Sequence, residues 1–287
     1  MTTMMTSATA ITAPTQFAES KGRRLAYRSI GTGKPLILCN RFRGILDTWD
    51  PAFIDRLAQS FRVITFDYTG LGRSTGHPSY DPRALANDAN DLADALGLDT
   101  IIIGGWSLGG LAAQTLAAVH TDRVSHVVLL GTGPPGPVTH PPEQLFYETA
   151  LKPVNDLVDE TILFFEPASA ASRKAARQSH DRIAARTTDL SVPIPAEVYT
   201  RLLQENAGSE IFPDRSRVRD FLASTTMPVL VISGDHDIVF PIENWFARVR
   251  EMPTTQVICL PRTGHGPQHE APEAIVDYIT TFIRTTR

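Results

Sequence analysis

The sequence predicts an α/β protein, built as a doubly wound, mostly parallel sheet with an inserted helical cap. Three observations predict it: six short runs of continuous apolar character, helix-period patterns between them, and one long interval, Pro134 to Met227, with no such run. Ahead of the first run, Thr15 to Glu19 and Arg24 to Ile30 alternate apolar and polar residues, as an antiparallel hairpin leading into a sheet does. The runs themselves are Pro35 to Cys39, Arg62 to Phe66, Thr100 to Ile103, His126 to Leu130, Pro228 to Ile232 and Gln256 to Leu260. Strands covered by helices on both faces read in this unbroken way. Between them, Leu85, Ala89, Leu92 and Leu96, and then Leu108, Leu111, Thr115 and Val119, recur at spacings of three and four.

The interval without strands is too long for a structureless loop in a compact domain. Pro134, Pro135, Pro137, Pro141 and Pro142 make a stiff entry, and helical patterns follow over Leu145 to Leu151, Asp156 to Phe165 and Ala170 to Ala185. Residues 134–227 therefore read as a cap, and residues 15–133 with 228–287 as the core. Met1 to Pro14 has no Lys or Arg and no apolar stretch of signal-peptide length, and reads as a disordered tail.

Composition narrows the function classes. At 287 residues, 42% hydrophobic and 20% charged, the chain buries roughly three quarters of its unfolded surface and needs no disulfide or metal to hold a core. A net charge of −4 gives no broad basic surface of the kind nucleic acid requires. No run approaches the ~18 apolar residues that cross a bilayer, so a cytoplasmic location with a small-molecule partner is expected. The oligomeric state stays open, a homodimer included. Cys39 and Cys259 sit in apolar runs and read as small buried hydrophobes rather than a disulfide.

Chemistry concentrates at three places. Gly105-Trp106-Ser107-Leu108-Gly109 fits G-x-S-x-G, follows a predicted strand and opens a predicted helix, the setting that holds a serine on a strained turn above a sheet. Glycine is needed at 105 and 109 because side chains there would strike the neighbouring strand and helix. A serine hydroxyl is a poor nucleophile at neutral pH, so a base must take its proton and a carboxylate must hold that base in the right tautomer. Ser233 to Pro241, with Asp235 and Asp237, follows one late strand, and Thr263 to Pro267, with His265, follows the next. Both lie at carboxyl ends of predicted parallel strands, the edge where Ser107 emerges. His77, His120, His126, His140 and His180 read as structural or solvated, and His236 as a loop residue. No cluster has metal-ligand spacing, so neither metal nor cofactor is expected.

With these motifs in place the chain resembles the α/β-hydrolase superfamily over everything except the tail and the cap. Asp67 to Ser74 is similar to the family's D-x-R-G-x-G-x-S turn, with Thr69 in place of Arg; Gly234 to Pro241 is similar to its G-x-x-D-x-x-x-P acid loop; and Gly264, His265, Glu270 and Pro272 match its terminal G-H-x-x-x-x-E-x-P pattern. The resemblance implies Ser107 as nucleophile, Asp237 rather than Asp235 as the carboxylate, and His265 rather than His269 as the base. It also implies an oxyanion hole from the backbone N–H groups of Leu108 and Phe42. There the family usually carries H-G-x, and Asn40-Arg41-Phe42 stands instead, which alters the mouth of the site. Arg41 or Arg43 is a candidate to attract an anionic substrate group, set against the favoured reading of a surface arginine paired with Asp47 or Asp50. Trp106, Phe146 and Phe164, with Tyr147 and Phe165, are candidate walls of an apolar substrate pocket. Arg173, Lys174, Arg177, Arg182 and Arg186 fall at the spacing of a solvated helix face.

The implied activity is cleavage of an apolar carboxylic ester or lactone through an acyl-enzyme. A serine nucleophile argues against dehalogenase or epoxide-hydrolase chemistry, which needs a carboxylate there. Carbon–carbon bond hydrolases, perhydrolases or non-haem haloperoxidases, cofactor-free dioxygenases and hydroxynitrile lyases share the scaffold. A non-catalytic receptor that holds a ligand under the cap is the reading from a different class.

Overall fold

The computed structural model describes residues 8–206 and 213–286. Gln16–Ser20 (β1) and Arg23–Ile30 (β2) pair antiparallel across a two-residue turn, Lys21-Gly22, in which both residues have positive φ, as a tight hairpin requires. Pro35–Cys39 (β3) is followed by Pro51–Leu57 (α1), whose start is fixed by Pro51 and by the Asp50 side chain, which accepts from Ala52 N. Arg62–Phe66 (β4) leads to Pro82–Ala95 (α2), begun in the same way by Pro82 and the Asp81 cap. Ile101–Trp106 (β5), Leu108–Val119 (α3) and Val124–Leu130 (β6) complete the first half.

Among the described residues, five helices stand between β6 and the next strand: Gln144–Ala150 (α4), Leu157–Phe164 (α5), Ala170–Ala184 (α6), Ala196–Asn206 (α7) and Val218–Ser224 (α8). The described residues of that interval contain no strand. The chain then returns through Val229–Gly234 (β7), Glu243–Phe246 (α9), Thr255–Leu260 (β8), Pro267–Glu270 (α10) and Pro272–Thr285 (α11).

The eight strands form one sheet in the order β1-β2-β4-β3-β5-β6-β7-β8, parallel from β4 onward. Alternate residues of each strand serve opposite cores. Leu36, Leu38, Val128, Leu130 and Ile232 pack beneath α1 and α11, with Phe53, Leu57, Ile279 and Phe282. Ile37, Cys39, Ile103 and Leu129 pack on the other face against α2 and α3, with Leu92, Ala112 and Leu116. Val218 and Leu222 of α8 join this second core, so the last helix before β7 is packed on the sheet domain.

Three expectations change. Residues 8–14 are not a loose tail: Ala13 is fully buried, Ala10 N donates to Asp55, and Arg186 donates to the carbonyls of Ala10, Ile11 and Ala13. Residues 1–7 lie outside the described residues. Cys259 is exposed, because β8 is an edge strand whose outer face nothing covers at that position. Arg173, Lys174 and Arg177 do face solvent, but Arg182 and Arg186 turn inward onto Asp50 and onto Asp47 with Asp189. No helix among the described residues is long and apolar enough to cross a membrane.

Candidate active site

Ser107 is the single residue between β5 and α3, and it sits at φ 59°, ψ −123°. A non-glycine residue held there stores about 1–3 kcal/mol of strain and persists only where its surroundings enforce it. They do. Ser107 N donates to Leu130 O at 3.0 Å, tying the turn to β6, and Gly110 N donates to Ser107 O at 2.9 Å, starting the helix. A Cβ on Gly105 would lie 2.0 Å from Gly109 O, and one on Gly109 would lie 2.0 Å from Cys39 O, so neither position admits a side chain.

His265 arrives on the loop after β8. Its Nδ1 is 2.8 Å from Asp237 Oδ2, and both side chains are almost wholly buried, at 2% and 0% exposure. The other oxygen of Asp237 accepts from Val239 N and Phe240 N at 2.8 and 2.9 Å, which fixes the carboxylate on the loop after β7. A carboxylate accepts only, so Nδ1 carries the proton and Nε2 is left as the basic nitrogen. Asp235 points elsewhere, to His236 Nδ1 at 2.6 Å.

Ser107 and His265 line one cavity together with Arg41, Phe42, Phe146 and Phe164. The structure thus gathers most of the predicted site residues on a common wall. No hydrogen bond joins the Ser107 hydroxyl to the imidazole, a contact that commonly tightens only when substrate is bound. Leu108 occupies the first position of α3, where backbone N–H groups have no partner within the helix. Phe42 packs edge-on against Tyr80 and Tyr199, at 5.4 and 5.7 Å between centroids.

Trp106 is a correction: it does not line the cavity. On a strand, neighbouring side chains leave by opposite faces, and the Trp106 ring lies 5.1 Å from Phe164 and 4.6 Å from His269, with its indole N–H donating to His265 O at 2.8 Å. It supports the histidine from behind. Arg43 does line the cavity, but its guanidinium is already engaged. It donates to the carbonyls of Ala150, Lys152 and Pro153 and to Asn155 Oδ1, gripping the link between α4 and α5. Arg41 pairs with neither Asp47 nor Asp50; its guanidinium lies over the Phe164 and Trp106 rings, at 4.6 and 5.2 Å.

The loop that carries Phe42 is braced by residues that the sequence reading left without a role. Asn40 Nδ2 donates to Phe66 O at 2.6 Å, and Tyr68 Oη donates to Asn40 O at 3.1 Å. Buried Asp67 accepts from Leu46 N, Arg73 N and the cap hydroxyl of Ser191, and burial pushes its carboxyl up to about 6. Its place at the head of the D-x-x-G turn was the only signal available. Thr69 stands between Arg23 Nε and Asp88, so a guanidinium from the hairpin serves the position where the family carries Arg.

His269, the histidine set aside, is buried with Nδ1 3.2 Å from Ser179 Oγ, and burial drives its pKa down to about 4. The unfolded chain takes up a proton near 6.5 that the folded protein refuses until about 4. Its contribution to stability is therefore complete above pH 6.5 and is lost as the pH falls through that window, by up to about 3 kcal/mol. Urea titrations at pH 7.5 and 4.5, compared between the native protein and His269→Gln, are expected to show a smaller pH dependence in the variant. Equal dependence would refute the assignment.

An open sheet whose fifth strand ends in a strained serine defines a class of proteins, the α/β hydrolases. The chain belongs to that family: the family model for the alpha/beta hydrolase fold matches residues 34–272. An alpha/beta hydrolase fold protein from Chitinophaga pinensis is 27% identical and superposes with a TM-score of 0.82, over 97% of this chain and 100% of that one. A thermophilic esterase from Thermogutta terrifontis is 25% identical at a TM-score of 0.71, over 95% and 98%. The putative carbamate hydrolase RutD of Caulobacter sp. (strain K31) is 29% identical over 244 residues, covering 82% of this chain and 85% of the relative.

Proposed function

We propose that the protein is a serine hydrolase that cleaves a carboxylic ester or lactone through an acyl-enzyme, with Ser107 as nucleophile, His265 as general base and acid, and Asp237 as the orienting carboxylate. The observation that carries this reading is the buried imidazole whose Nδ1 is committed to Asp237 at 2.8 Å, on the wall it shares with Ser107. That commitment leaves Nε2 to take the hydroxyl proton as Ser107 Oγ attacks the carbonyl carbon. The oxyanion is received by the N–H groups of Leu108 and Phe42, each such donor being worth about 100- to 1000-fold in rate. Collapse breaks the bond to the alcohol oxygen, which takes its proton from His265. A water deprotonated by the same nitrogen then releases the acid. The esterase and the carbamate hydrolase among the relatives are named for attack on an acyl carbon, which supports the same reaction type here.

A fluorophosphonate probe tests the reading. The expected result is a single adduct on Ser107, lost in folded His265→Ala protein. A folded native protein that takes no label would overturn the proposal in favour of a ligand receptor.

A further inference from the structure

We propose that Arg41 is the anion-recognition residue of this cavity, and that the substrate carries a carboxylate close to the carbonyl under attack. The inference rests on the hydrolase reading for its chemistry and adds the substrate class.

Unlike Arg41, most of the arginines that turn inward are paired; Arg219 also has buried guanidinium nitrogens without a partner, but it does not line this cavity. Arg28 is paired with Asp47, Arg182 with Asp50, Arg186 with Asp189, and Arg23 with Asp88 and Asp91. Arg43 spends its donors on four cap oxygens. Arg41 has no carboxylate within ion-pair distance among the described residues; its one hydrogen bond runs from Nη1 to the carbonyl of Phe42, at 2.7 Å. Its Nε is buried with no acceptor at all. The carboxylate whose field it feels, Glu160, is already bonded to His180 Nδ1 at 2.8 Å.

The energetics say that such a group is incomplete. Removing a guanidinium from water carries a desolvation cost that stacking on aromatic faces returns only in part. Burial lowers the pKa of Arg41 only to about 10, so the cation persists at neutral pH. What satisfies a charged planar fork is a planar, bidentate acceptor, and a carboxylate matches it. The location narrows the match further. Arg41 immediately precedes Phe42, the oxyanion donor, and rests on Phe164 and Trp106, the rings that pack around His265. An anion held there belongs to the acyl part of the substrate, as in a dicarboxylic half-ester or a carboxylated lactone.

The test compares monomethyl succinate and monomethyl glutarate with methyl butyrate and methyl valerate, which replace the carboxylate by a methyl group, followed by pH-stat. Native protein is expected to favour the charged esters at least 10-fold in kcat/KM. Arg41→Met is expected to lower kcat/KM on them by about 100-fold, at least 10-fold more than on the neutral esters, and Arg41→Lys to recover part of that difference. Equal losses on both series, or no native preference for the charged esters, would overturn the proposal while leaving Ser107 labelling, and hence the hydrolase reading, intact. Calorimetry with Ser107→Ala protein separates the opposite case. Binding of monomethyl glutarate that disappears in Ser107→Ala/Arg41→Met, with no turnover by native protein, would uphold the anion site and remove the hydrolase. Neither binding nor turnover would overturn the anion site.

Discussion

Ser107→Ala protein is expected to turn over a good ester substrate about 10^4- to 10^6-fold more slowly than native protein, with its melting temperature unchanged or raised. The activity loss follows because Ser107 carries the only hydroxyl among the described residues lining the cavity, and the melting behaviour follows because alanine removes no hydrogen bond from the Ser107 side chain. His265→Ala is expected to cost about as much, and the double variant little more, since nucleophile and base act as one unit. Asp237→Asn should cost less, on the order of 10^4-fold. It preserves the buried shape but offers an amide where Nδ1 needs a carboxylate, and so favours the wrong tautomer. The measurement is kcat/KM on one activated ester across the four variants. A Ser107→Ala protein that keeps a tenth of native activity would end the assignment.

Arg182→Met is expected to give the largest loss of stability. Asp50 is fully buried, caps α1 through Ala52 N, and is held by both Nε and Nη2 of Arg182 at 2.8 and 2.6 Å. Removing the guanidinium strands a buried carboxylate, at a cost of about 3–5 kcal/mol. For a chain of this size that lowers the melting temperature by on the order of 10 °C. Asp50→Asn in the same background should restore much of the loss, because an amide still caps the helix and carries no charge. Calorimetric melts of the two single variants and the double variant close the cycle. A drop under 2 °C for Arg182→Met would show that the pair contributes little.

The sheet was legible because strands covered on both faces leave unbroken apolar runs, and β3 and β4 begin and end where those runs do. The fifth strand was read short. Gly104 and Gly105 bear no side chain to signal a strand, yet they pair with Leu38, Cys39, Val128 and Leu129. Arg182 and Arg186 were misread for a different reason: helical spacing defines a face but not what stands opposite, and Asp50 lies 132 residues away. The segment before Gln16 was misread because what binds it is backbone. Carbonyl acceptors leave no mark in composition. At the site, the serine turn could be read from its glycines. Asp237 and His265 needed the family pattern to separate them from Asp235 and His269, which lie two and four residues away. The role of Trp106 could not be read at all, since adjacency to Ser107 says nothing about which side of the strand a neighbour faces.

The contact between Arg186 and the carbonyls of Ala10, Ile11 and Ala13 links the two ends of the molecule's design problem. A version trimmed to start at the hairpin, the usual remedy for an unruly leader, would strip this guanidinium of most of its acceptors. It would also take Ala10 from the wall of the cleft that Trp49, Ile54 and Ile183 share. The damage would surface not at the trimmed end but in the seating of the helical insertion, so a shortened version needs to keep Ala10 to Ala13.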